Sequence, residues 1–276
     1  PAGVFFGIRS IIGPGCVVNV DQFFKEIKEL KEGGIDIDGL VFIAKNAHII
    51  TQNHIDEEVK ETKIGTTKRG NGPAYRDKFA RTGIRAENLP KLRPYLIDLY
   101  EELHERYTNP IILFEGAQGF GLDPDWGDYP YVTSSHCTVG SAILNGVPPT
   151  AIRDIWGVAK IYETYVGAKD FEGPDEIFET IRELGQEYGS TTGRERQINW
   201  LDFDMLKMAS RINGVTKLVV NKMDILEQVN SWCLYDGPNL YEFKTRNDIE
   251  MWLEGKLHLE VNENIKVMFS GDKEYI

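Results

Sequence analysis

The segment LDFDMLKMASRINGVTKLVVNKMD, residues 201–224, passes through three kinds of local structure in a short distance. Apolar residues recur at helical spacing as far as Asn213 and Gly214, and glycine commonly ends a helix. The run KLVVN, residues 217–221, has a continuous apolar centre, which is typical of a strand covered on both faces. A polar loop then begins at the carboxyl end of that strand. This succession of helix, buried strand and polar loop is the repeating unit of an open α/β sheet.

Five other apolar runs resemble this strand: CVVNV (16–20), LVFIA (40–44), IILFEG (111–116), DIWGVAKIY (154–162) and IKVMFSG (265–271). Helical spacing recurs in residues 20–34, with Asp21 as the expected N-cap, and in residues 92–107. Because strands alternate with helices and no linker or repeat interrupts them, we predict a single domain over residues 1–276. Its expected fold is α/β, with a mostly parallel central sheet and helices on both faces.

The chain has 276 residues, of which 43 are acidic and 31 are basic, so its formal net charge is -12. Such a charge repels polyanions and argues against DNA, RNA or an acidic membrane as a partner. Three widely spaced cysteines, Cys16, Cys137 and Cys233, fit a reducing compartment, and we predict a cytoplasmic protein. No apolar run approaches the roughly 20 residues that a membrane-spanning helix needs. The first residue is Pro1 rather than Met, from which we expect a piece of a longer protein.

The loop GTTKRGNG, residues 65–72, has the G-x-x-x-x-G frame of a nucleoside-triphosphate loop but lacks its Lys-Ser/Thr pair. Asn71 and Gly72 stand in those two positions. The amides of Gly65, Gly70 and Gly72, two threonine hydroxyls and two cations could still hold an anion. We therefore expect this loop to bind a monophosphate rather than a magnesium triphosphate.

Three further loops carry groups suited to nucleotides. NKMD (221–224) suits guanine, because the Asp224 carboxylate can accept from both N1–H and the 2-amino group. Its structural alternative is a solvated turn with Asp224 as a helix N-cap. EGAQGFGLD (115–123) lets a ligand approach the backbone closely, and the Gln118 amide can donate and accept toward a purine or an oxyanion. STTGRERQ (190–197) places two arginines in one loop, where their guanidinium groups match carboxylates and phosphates.

Four segments, taken in order, resemble adenylosuccinate synthetases: GTTKRGNGPAYRDKFARTGIR, EGAQGFGLDPDWGDYPYVTSS, STTGRERQINWLDFD and NKMD. The resemblance extends from PAGVFFGIRSIIGPGCVVNVDQF at the start of the chain to KVMFSGDKEYI near its end. It implies a P-loop-NTPase-like fold and a GTP-dependent ligase that joins IMP to L-aspartate through a 6-phosphoryl-IMP intermediate. It also implies Mg²⁺ as cofactor, a homodimer and a place in purine nucleotide biosynthesis.

The resemblance assigns roles to individual residues. Gln118 would act catalytically at the hypoxanthine ring and its 6-oxyanion, and Arg81 would reach the IMP phosphate of the neighbouring subunit. The residues implied to bind IMP are Thr67, Arg81, Gln118, Thr133, Val166 and Arg194. Those implied to bind aspartate are Thr191, Thr192 and Arg194. Those implied to bind GTP are Arg196, Lys222, Asp224, Ser270 and Gly271.

The sequence departs from the family pattern in several places. Neither the GDEGKGK-like loop, with its general base and metal ligand, nor the N-A-G-H segment, with its histidine acid, is present. We therefore expect a fold that lacks its N-terminal strand and loop, no metal ligands among the present residues, and an inactive fragment. Lys68 replaces a glycine, and Tyr165, Lys169 and Asp170 depart from the R-V-G-A-G-P segment. The SGDKEYI segment lacks the proline of the family's guanine-contacting loop.

Three other interpretations stay open. A viral relative that joins aspartate to dGMP, making 2-aminoadenylosuccinate, shares the motifs. A nucleotide-binding protein without ligase activity is consistent with the absent base. A GTPase switch would rest on NKMD alone and lacks a Walker loop. We expect structural roles for the five histidines, which have no metal-ligand spacing: His48, His54, His104, His136 and His258.

Overall fold

The computed structural model describes residues 2–189 and 193–271. Its contacts divide the chain into two compact units, Pro1–Ala151 and Ile152–Ile276. Within the described ranges, six strand pairings are parallel and two are antiparallel, which confirms the predicted α/β class with mostly parallel strands. None of the described helices is long and apolar enough to cross a membrane. The assignment of residues 1–276 to a single domain stays a prediction.

The first unit is built from short strands and helices. Its strands are β1 (Ser10–Ile12), β2 (Val17–Asn19), β3 (Val41–Ala44), β4 (His48–Ile50) and β5 (Leu96–Ile97). Its helices are α1 (Val20–Glu32), α2 (Gln52–Glu58), α3 (Asn71–Ala80) and α4 (Gly140–Leu144). Short 3₁₀ turns lie at Ala2–Phe6, Ala86–Asn88, Pro90–Tyr95, Phe120–Leu122 and Pro149–Ala151, and a π-helical turn lies at Glu101–Glu105. Two parallel sheets result, with strand orders β1-β3-β5 and β2-β4.

Helix α1 shows how the core of the first unit forms. Phe23 and Ile27, one helical turn apart, are buried in the same hydrophobic core as Ile43 of β3. The N-cap is Asn19, whose side chain accepts from the Gln22 amide at 3.0 Å. The prediction of Asp21 as the cap is therefore wrong. Asp21 lies in the first turn, where its charge still favours the helix dipole.

The second unit contains seven strands and four helices in its described part. The strands are β6 (Trp156–Lys160), β7 (Tyr162–Tyr165), β8 (Gln197–Asp202), β9 (Lys217–Asn221), β10 (Trp232–Asp236), β11 (Asn239–Phe243) and β12 (Lys266–Phe269). The helices are α5 (Ile177–Gly185), α6 (Phe203–Asn213), α7 (Met223–Val229) and α8 (Arg246–Glu260). One sheet, β12-β9-β6, is wholly parallel, and the other, β11-β10-β8-β7, is mixed.

The opening segment behaves as predicted. Asp202 caps α6 by accepting from the Met205 amide, and α6 ends at Gly214, whose φ of +63° is the left-handed conformation that glycine favours. Strand β9 then runs between β6 and β12 with Leu218, Val219 and Val220 buried. The polar residues after β9 consequently emerge at the carboxyl edge of a parallel sheet. This edge is where open α/β sheets bind ligands.

Two other predictions of local structure are wrong. Residues 92–107 do not form one helix, because Pro94 lacks an N–H group and falls inside a 3₁₀ turn. The following residues form β5, which pairs with β3, before the π-helical turn begins. Residues 111–116 do not form a strand, and Ile111 and Leu113 are 102% and 91% exposed. No strand in the described residues pairs with this run, so its apolar side chains have no sheet to enter.

The remaining predicted strands are present with slightly shifted bounds. Residues 16–20 contain β2, residues 40–44 contain β3, residues 154–162 contain β6 and the start of β7, and residues 265–271 contain β12.

Candidate functional site

A buried carboxylate shapes the loop that joins α2 to α3. Glu58, the last residue of α2, is 6% exposed. Its Oε2 accepts a hydrogen bond from the Gly70 amide at 2.6 Å, and its Oε1 accepts one from the Gly72 amide at 3.1 Å. Gly70 is the N-cap of α3 but has no side chain, so Glu58 supplies the missing acceptor. These two amides, both expected to bind a phosphate, are therefore already bonded within the protein.

A second carboxylate organises the first half of the same loop. Glu61 accepts hydrogen bonds from the amides of Ile64, at 2.9 Å, and Lys63. The Ile64 amide is the main reason that the pKa of Glu61 lies below its usual value, with Lys63, Gly65 and Thr66 adding to the effect. The loop amides are thus satisfied from both ends by acidic side chains.

The side chains at the tip of this loop are available to a ligand. Thr67 and Lys68 are exposed, and Arg69 is half-buried. Among the described residues, none of these three side chains has a hydrogen bond or ion pair. Lys68 has a φ of +57°, a left-handed conformation in which glycine is the usual residue. A phosphate at this loop would therefore be bound by a hydroxyl and two cations rather than by the Gly70 and Gly72 amides.

Two other predicted segments lie beside this loop in the first unit. The Gln118 Oε1 accepts from the Ser135 hydroxyl at 3.2 Å, which connects EGAQG to YVTSS. A Cβ atom placed on Gly72 would lie 3.4 Å from the Ser134 Oγ and 3.3 Å from the Glu58 Oε1. Thr133 is half-buried next to these serines. The structure thus brings Gln118, the Thr133 segment and the start of α3 into one neighbourhood.

Tyr75 of α3 hydrogen bonds with residues of this neighbourhood and with the Gly13–Gly15 segment. Its hydroxyl donates to the Gly15 carbonyl at 2.8 Å and also hydrogen bonds with Ser135. Burial is the main cause that raises the pKa of Tyr75 to about 12. Lys78, one turn later, donates to the Pro14 carbonyl at 2.6 Å. The Gly13–Gly15 backbone is therefore clamped onto the helix that starts at the loop.

Arg81, predicted to reach a neighbouring subunit, is exposed. It is the C-cap of α3, with a φ of +65°. Two apolar residues close to it in sequence, Phe79 and Ile84, are 71% and 42% exposed. The end of α3 therefore presents a cation flanked by uncovered apolar surface.

The second unit gathers its polar residues at the carboxyl edge of the β6-β9-β12 sheet. Lys160, the last residue of β6, is in register with Asn221, the last residue of β9. Phe269 of β12 is in register with Val220, so Ser270 follows at the same edge. The Met223 amide donates to the Ser270 carbonyl at 3.1 Å. The residues of NKMD and of the Ser270–Gly271 segment consequently meet there.

Glu187 is the centre of a charged cluster at this edge, and the sequence analysis did not identify it. Its carboxylate is 2% exposed and accepts from Lys160 at 2.7 Å, Tyr162 at 2.8 Å and Arg196 at 2.8 Å. Burial by itself would raise the pKa of Glu187, but Lys160, Tyr162 and Arg196 together hold it below the usual value. Burial is also the main cause that lowers the pKa of Lys160, with Arg196 and Lys222 adding to it and Glu187 opposing.

This cluster gathers three cations near the Glu187 carboxylate. Lys160 interacts electrostatically with Glu187, Arg196 and Lys222, and Arg196 also interacts with Glu187. The Lys222 ammonium group also donates to the Gly185 carbonyl at 3.2 Å. Half-buried cations gathered in one place create a positive potential that favours an anionic ligand.

Asp224 lies at the start of α7 but does not cap it. The N-cap is Lys222, in a left-handed conformation with a φ of +66°, and it makes no side-chain capping bond. The alternative reading of Asp224 as an N-cap is therefore wrong. A Cβ atom on Gly271 would lie 3.0 Å from the Asp224 Cβ and 3.3 Å from its Oδ1, so a glycine at this position is what lets the two segments approach.

The remaining predicted residues are placed as follows. Val166 and Gly167 follow β7, and the Gly167 carbonyl accepts weakly from the Gln197 side chain at 3.5 Å. The Arg194 carbonyl accepts from the Gly189 amide at 2.7 Å, which closes the base of its loop. Thr191 and Thr192, the implied aspartate contacts, lie outside the described residues.

One group of described side chains has the spacing of a metal site, Asp123, Asp125 and His136. The Asp123 carboxylate already accepts from the amides of Asp125, Trp126 and Cys137 at 2.7–3.3 Å. Imidazole is also a poor ligand for Mg²⁺, which prefers oxygen atoms in octahedral geometry. These residues therefore do not fit the Mg²⁺ ion that the resemblance implies, and Asp123 instead stabilises its own loop.

The sequence model of one protein family, adenylosuccinate synthetase, matches residues 1–92 and 86–234. The adenylosuccinate synthetase of Leuconostoc mesenteroides is 34% identical over 95% of this chain and 73% of its own length. The adenylosuccinate synthetase of Mycosarcoma maydis is 36% identical over 80% of this chain and 61% of its own length. The chain thus spans between 61% and 73% of the length of these two relatives.

Solved structures of related proteins have the same fold. A fully ligated adenylosuccinate synthetase from Plasmodium falciparum superposes with a TM-score of 0.83, at 26% identity, over 97% of this chain and 83% of that one. A cyanophage S-2L succinoaminodeoxyadenylate synthetase, bound to dGMP and dATP as an energy donor, superposes with a TM-score of 0.64. That protein is 24% identical, with 89% of this chain and 79% of its own covered, so it is similar in fold alone.

The mostly parallel α/β architecture, with NKMD and Ser270–Gly271 at the carboxyl edge of a parallel sheet, is that of the open-sheet class, which binds ligands at this edge. The sequence model covers most of the chain, and the Leuconostoc relative is matched over nearly three quarters of its length. The chain belongs to the adenylosuccinate synthetase family.

Proposed function

We propose that this chain carries nucleotide sites for the GTP-dependent ligation of IMP and L-aspartate to adenylosuccinate, by way of a 6-phosphoryl-IMP intermediate. The observation that carries the proposal is the neighbourhood formed by Gln118, Ser135 and Gly72, because it joins three motif segments that are far apart in sequence. Family membership supports the same reaction and its place in purine biosynthesis.

The first unit would bind the monophosphate. The Thr67 hydroxyl and the adjacent cations offer hydrogen bonds and positive charge to a 5′-phosphate, and Thr133 adds a second hydroxyl. The Gln118 amide would donate to the 6-oxygen of the purine as negative charge develops there, which is stabilisation of the oxyanion type. The family resemblance also assigns Val166 and Arg194, which belong to the second unit, to IMP.

The second unit would bind GTP. Asp224 can accept from both N1–H and the 2-amino group of guanine, whereas adenine has neither donor at those positions. Ser270 and Gly271 lie against Asp224 and would pack on the same base. Lys222 and Arg196 would supply positive charge toward the rest of the nucleotide. Thr191, Thr192 and Arg194 are proposed to bind aspartate on the basis of the family resemblance.

A homodimer would complete the phosphate site. Arg81 is exposed at the end of α3 beside the uncovered side chains of Phe79 and Ile84. A guanidinium group flanked by apolar surface is suited to a subunit interface, where arginine is enriched. In this arrangement Arg81 would act on the IMP of the partner rather than on its own.

The 276 residues as printed are proposed to bind nucleotides without turnover. The GDEGKGK-like segment, to which the resemblance assigns the general base, does not occur in them. Loss of a general base commonly lowers a rate by about 10² to 10⁴. Mg²⁺ and a cytoplasmic location stay predictions.

Calorimetric titration of the chain with IMP, dGMP, GTP and ATP tests the proposal. We expect IMP to bind more tightly than dGMP, and GTP to bind at least about tenfold more tightly than ATP, given the value of a bidentate base contact. Preference for dGMP would favour the viral 2-aminoadenylosuccinate type, and failure to bind any purine nucleotide would refute the proposal. Adenylosuccinate formed by these 276 residues would refute the assignment of the base to the absent segment.

A further inference from the structure

The Glu58 carboxylate is buried without a cation. No described lysine, arginine or histidine forms a salt bridge with it, and its two oxygens instead accept from the Gly70 and Gly72 amides. These amides stand at the N-terminal end of α3, a helix of 10 residues, where the helix dipole also favours a negative charge. Glu58 is therefore in the environment that an anionic ligand would otherwise find.

The loop needs this support because its backbone is unusual. Gly65, Lys68 and Gly70 all have positive φ values, of +73°, +57° and +83°. Glycine adopts such values without strain, so the strain in this loop lies at Lys68, whose left-handed conformation persists only when the surrounding structure holds it. Glu58 fixes the end of the loop and Glu61 fixes its beginning.

The two carboxylates also decide which groups remain for a ligand. A phosphate cannot use the Gly70 and Gly72 amides while Glu58 is bonded to them. What remains at the tip is the Thr67 hydroxyl with the Lys68 and Arg69 cations, whose side chains have no partner among the described residues. The negative charge of Glu58 is compensated by the backbone, so these cations are not neutralised by it.

We propose that Glu58 is a positioning residue that holds the 65–70 loop in shape, so that the 5′-phosphate of a nucleoside monophosphate is bound by loop side chains rather than by a backbone nest. This inference rests on the proposed monophosphate site. It assigns Glu58 to the affinity for the phosphate group alone and not to recognition of the base or the sugar.

Comparison of IMP with inosine isolates the phosphate contribution. The ratio of the two dissociation constants is measured by calorimetry for the unmodified chain, for Glu58→Gln and for Glu57→Gln. Glutamine keeps the volume of Glu58 but replaces one carboxylate oxygen by an NH₂ group. That group is a donor and cannot accept from a backbone N–H, so either the Gly70 or the Gly72 amide loses its acceptor. Glu57 precedes it in sequence, is exposed and pairs with Arg76, which makes it a matched control.

We expect Glu58→Gln to weaken IMP binding by about tenfold, the effect of losing a preorganised loop, while inosine binding stays within about twofold. The Glu57→Gln control should leave both constants unchanged. Equal weakening of IMP and inosine would show a merely structural role. Tighter IMP binding by Glu58→Gln would show that the carboxylate competes with the phosphate for the amides. Either of these two results overturns the inference.

A second variant avoids the buried position. Lys68→Ala combined with Arg69→Ala changes only the loop tip, so it should fold and should lose most of the preference for IMP over inosine. A preserved preference would mean that amides bind the phosphate and would overturn the inference. If the unmodified chain binds IMP no better than inosine, the proposed function fails. The Glu58 contact can still be tested separately by hydrogen exchange. We expect the Gly70 and Gly72 amides to exchange slowly in the unmodified chain and faster in Glu58→Gln.

Discussion

Two buried glutamates, Glu58 in the first unit and Glu187 in the second, differ in the donors that replace water around their carboxylates. Glu58 accepts from two backbone amides, and the loop built on those amides leaves its own cations uncommitted. Glu187 accepts from Lys160, Arg196 and a tyrosine hydroxyl. Its negative charge therefore offsets the repulsion between the Lys160 and Arg196 cations. A carboxylate that accepts from backbone amides fixes the position of the backbone. A carboxylate that accepts from cationic side chains holds those side chains close to one another. The same residue type therefore shapes the two proposed anion sites in two different ways.

Replacing Glu187 should have the largest effect. Glu187→Ala would leave Lys160 and Arg196 partly buried without their counter-charge, and we expect the free energy of unfolding to fall by about 3 kcal/mol. Urea unfolding measures the change, and Glu183→Ala, an exposed position in the last turn of α5 shortly before Glu187, is the control. A loss of less than about 0.5 kcal/mol, the usual size of a surface effect, would contradict the role of Glu187.

The loop of the first unit should be almost as sensitive at Gly70. A side chain there would adopt a left-handed φ and would approach the Ile55 amide nitrogen to 2.9 Å, so Gly70→Ala should cost about 2 to 3 kcal/mol. Gly34→Ala separates the two causes, because Gly34 has a φ of +78° with nothing within 4 Å of its Cβ position. It should cost only the conformational part, about 1 kcal/mol. Equal losses in urea unfolding would show that the contact with Ile55 is irrelevant.

Glu163 sharpens the comparison within the second unit. Burial, with Asp202 as a lesser cause, raises the pKa of Glu163 to about 7. The folded state therefore binds a proton that the unfolded state has released, and stability should fall as the pH rises from about 4.5 to about 7. Glu163→Gln should remove this fall and be more stable than the unmodified chain at about pH 8, by an amount on the order of 2 kcal/mol. Chemical unfolding across this pH range is the measurement, with the exposed Glu183→Gln as control.

Glu187 should show the opposite dependence on pH. Its pKa is held below the usual carboxyl value, so its contribution is complete above about pH 4.5 and is lost as the pH falls through the lowered value. The two carboxylates can therefore be distinguished by the direction of the pH dependence. A Glu163→Gln profile that matches the unmodified chain would contradict this distinction.

The smallest expected effect is at Asp224. Asp224→Asn replaces one acceptor oxygen by a donor, so the preference for GTP over ATP should fall by roughly tenfold, or about 1.4 kcal/mol. Titration with both nucleotides measures the ratio, and Glu227→Gln, exposed on the same helix, should leave it unchanged. If Asp224→Asn keeps the full preference, the guanine assignment is wrong.

Local sequence patterns predicted the second unit better than the first. Helix α6 and strand β9 were predictable because an Asp cap, a terminal glycine and a continuous apolar run all indicate the same structure. Residues 92–107 have helical spacing, but Pro94 prevents the helix and β3 recruits the following residues as β5. Residues 111–116 have strand composition but no described partner strand. The structure of such segments depends on pairing with strands that are distant in sequence, and the local spacing of apolar residues carries no information about that pairing.

The candidate site was predictable only where a motif marked it. Gln118, Lys222 and Asp224 were found because they belong to recognisable loops. Glu58 and Glu187 were missed, because an isolated glutamate before a glycine-rich stretch resembles a surface residue. Their importance comes from contacts across 9 to 27 residues of sequence.

Lys68 shows what the Glu58 anchor permits. A non-glycine residue in the left-handed region costs about 1 to 2 kcal/mol, and Lys68 occupies a position where glycine would cost nothing. Because the loop is fixed at its ends by Glu58 and Glu61, that cost can be carried at the tip without unfolding the loop. The anchors thus let the tip carry a residue other than glycine, and Lys68 places a positive charge directly next to Thr67.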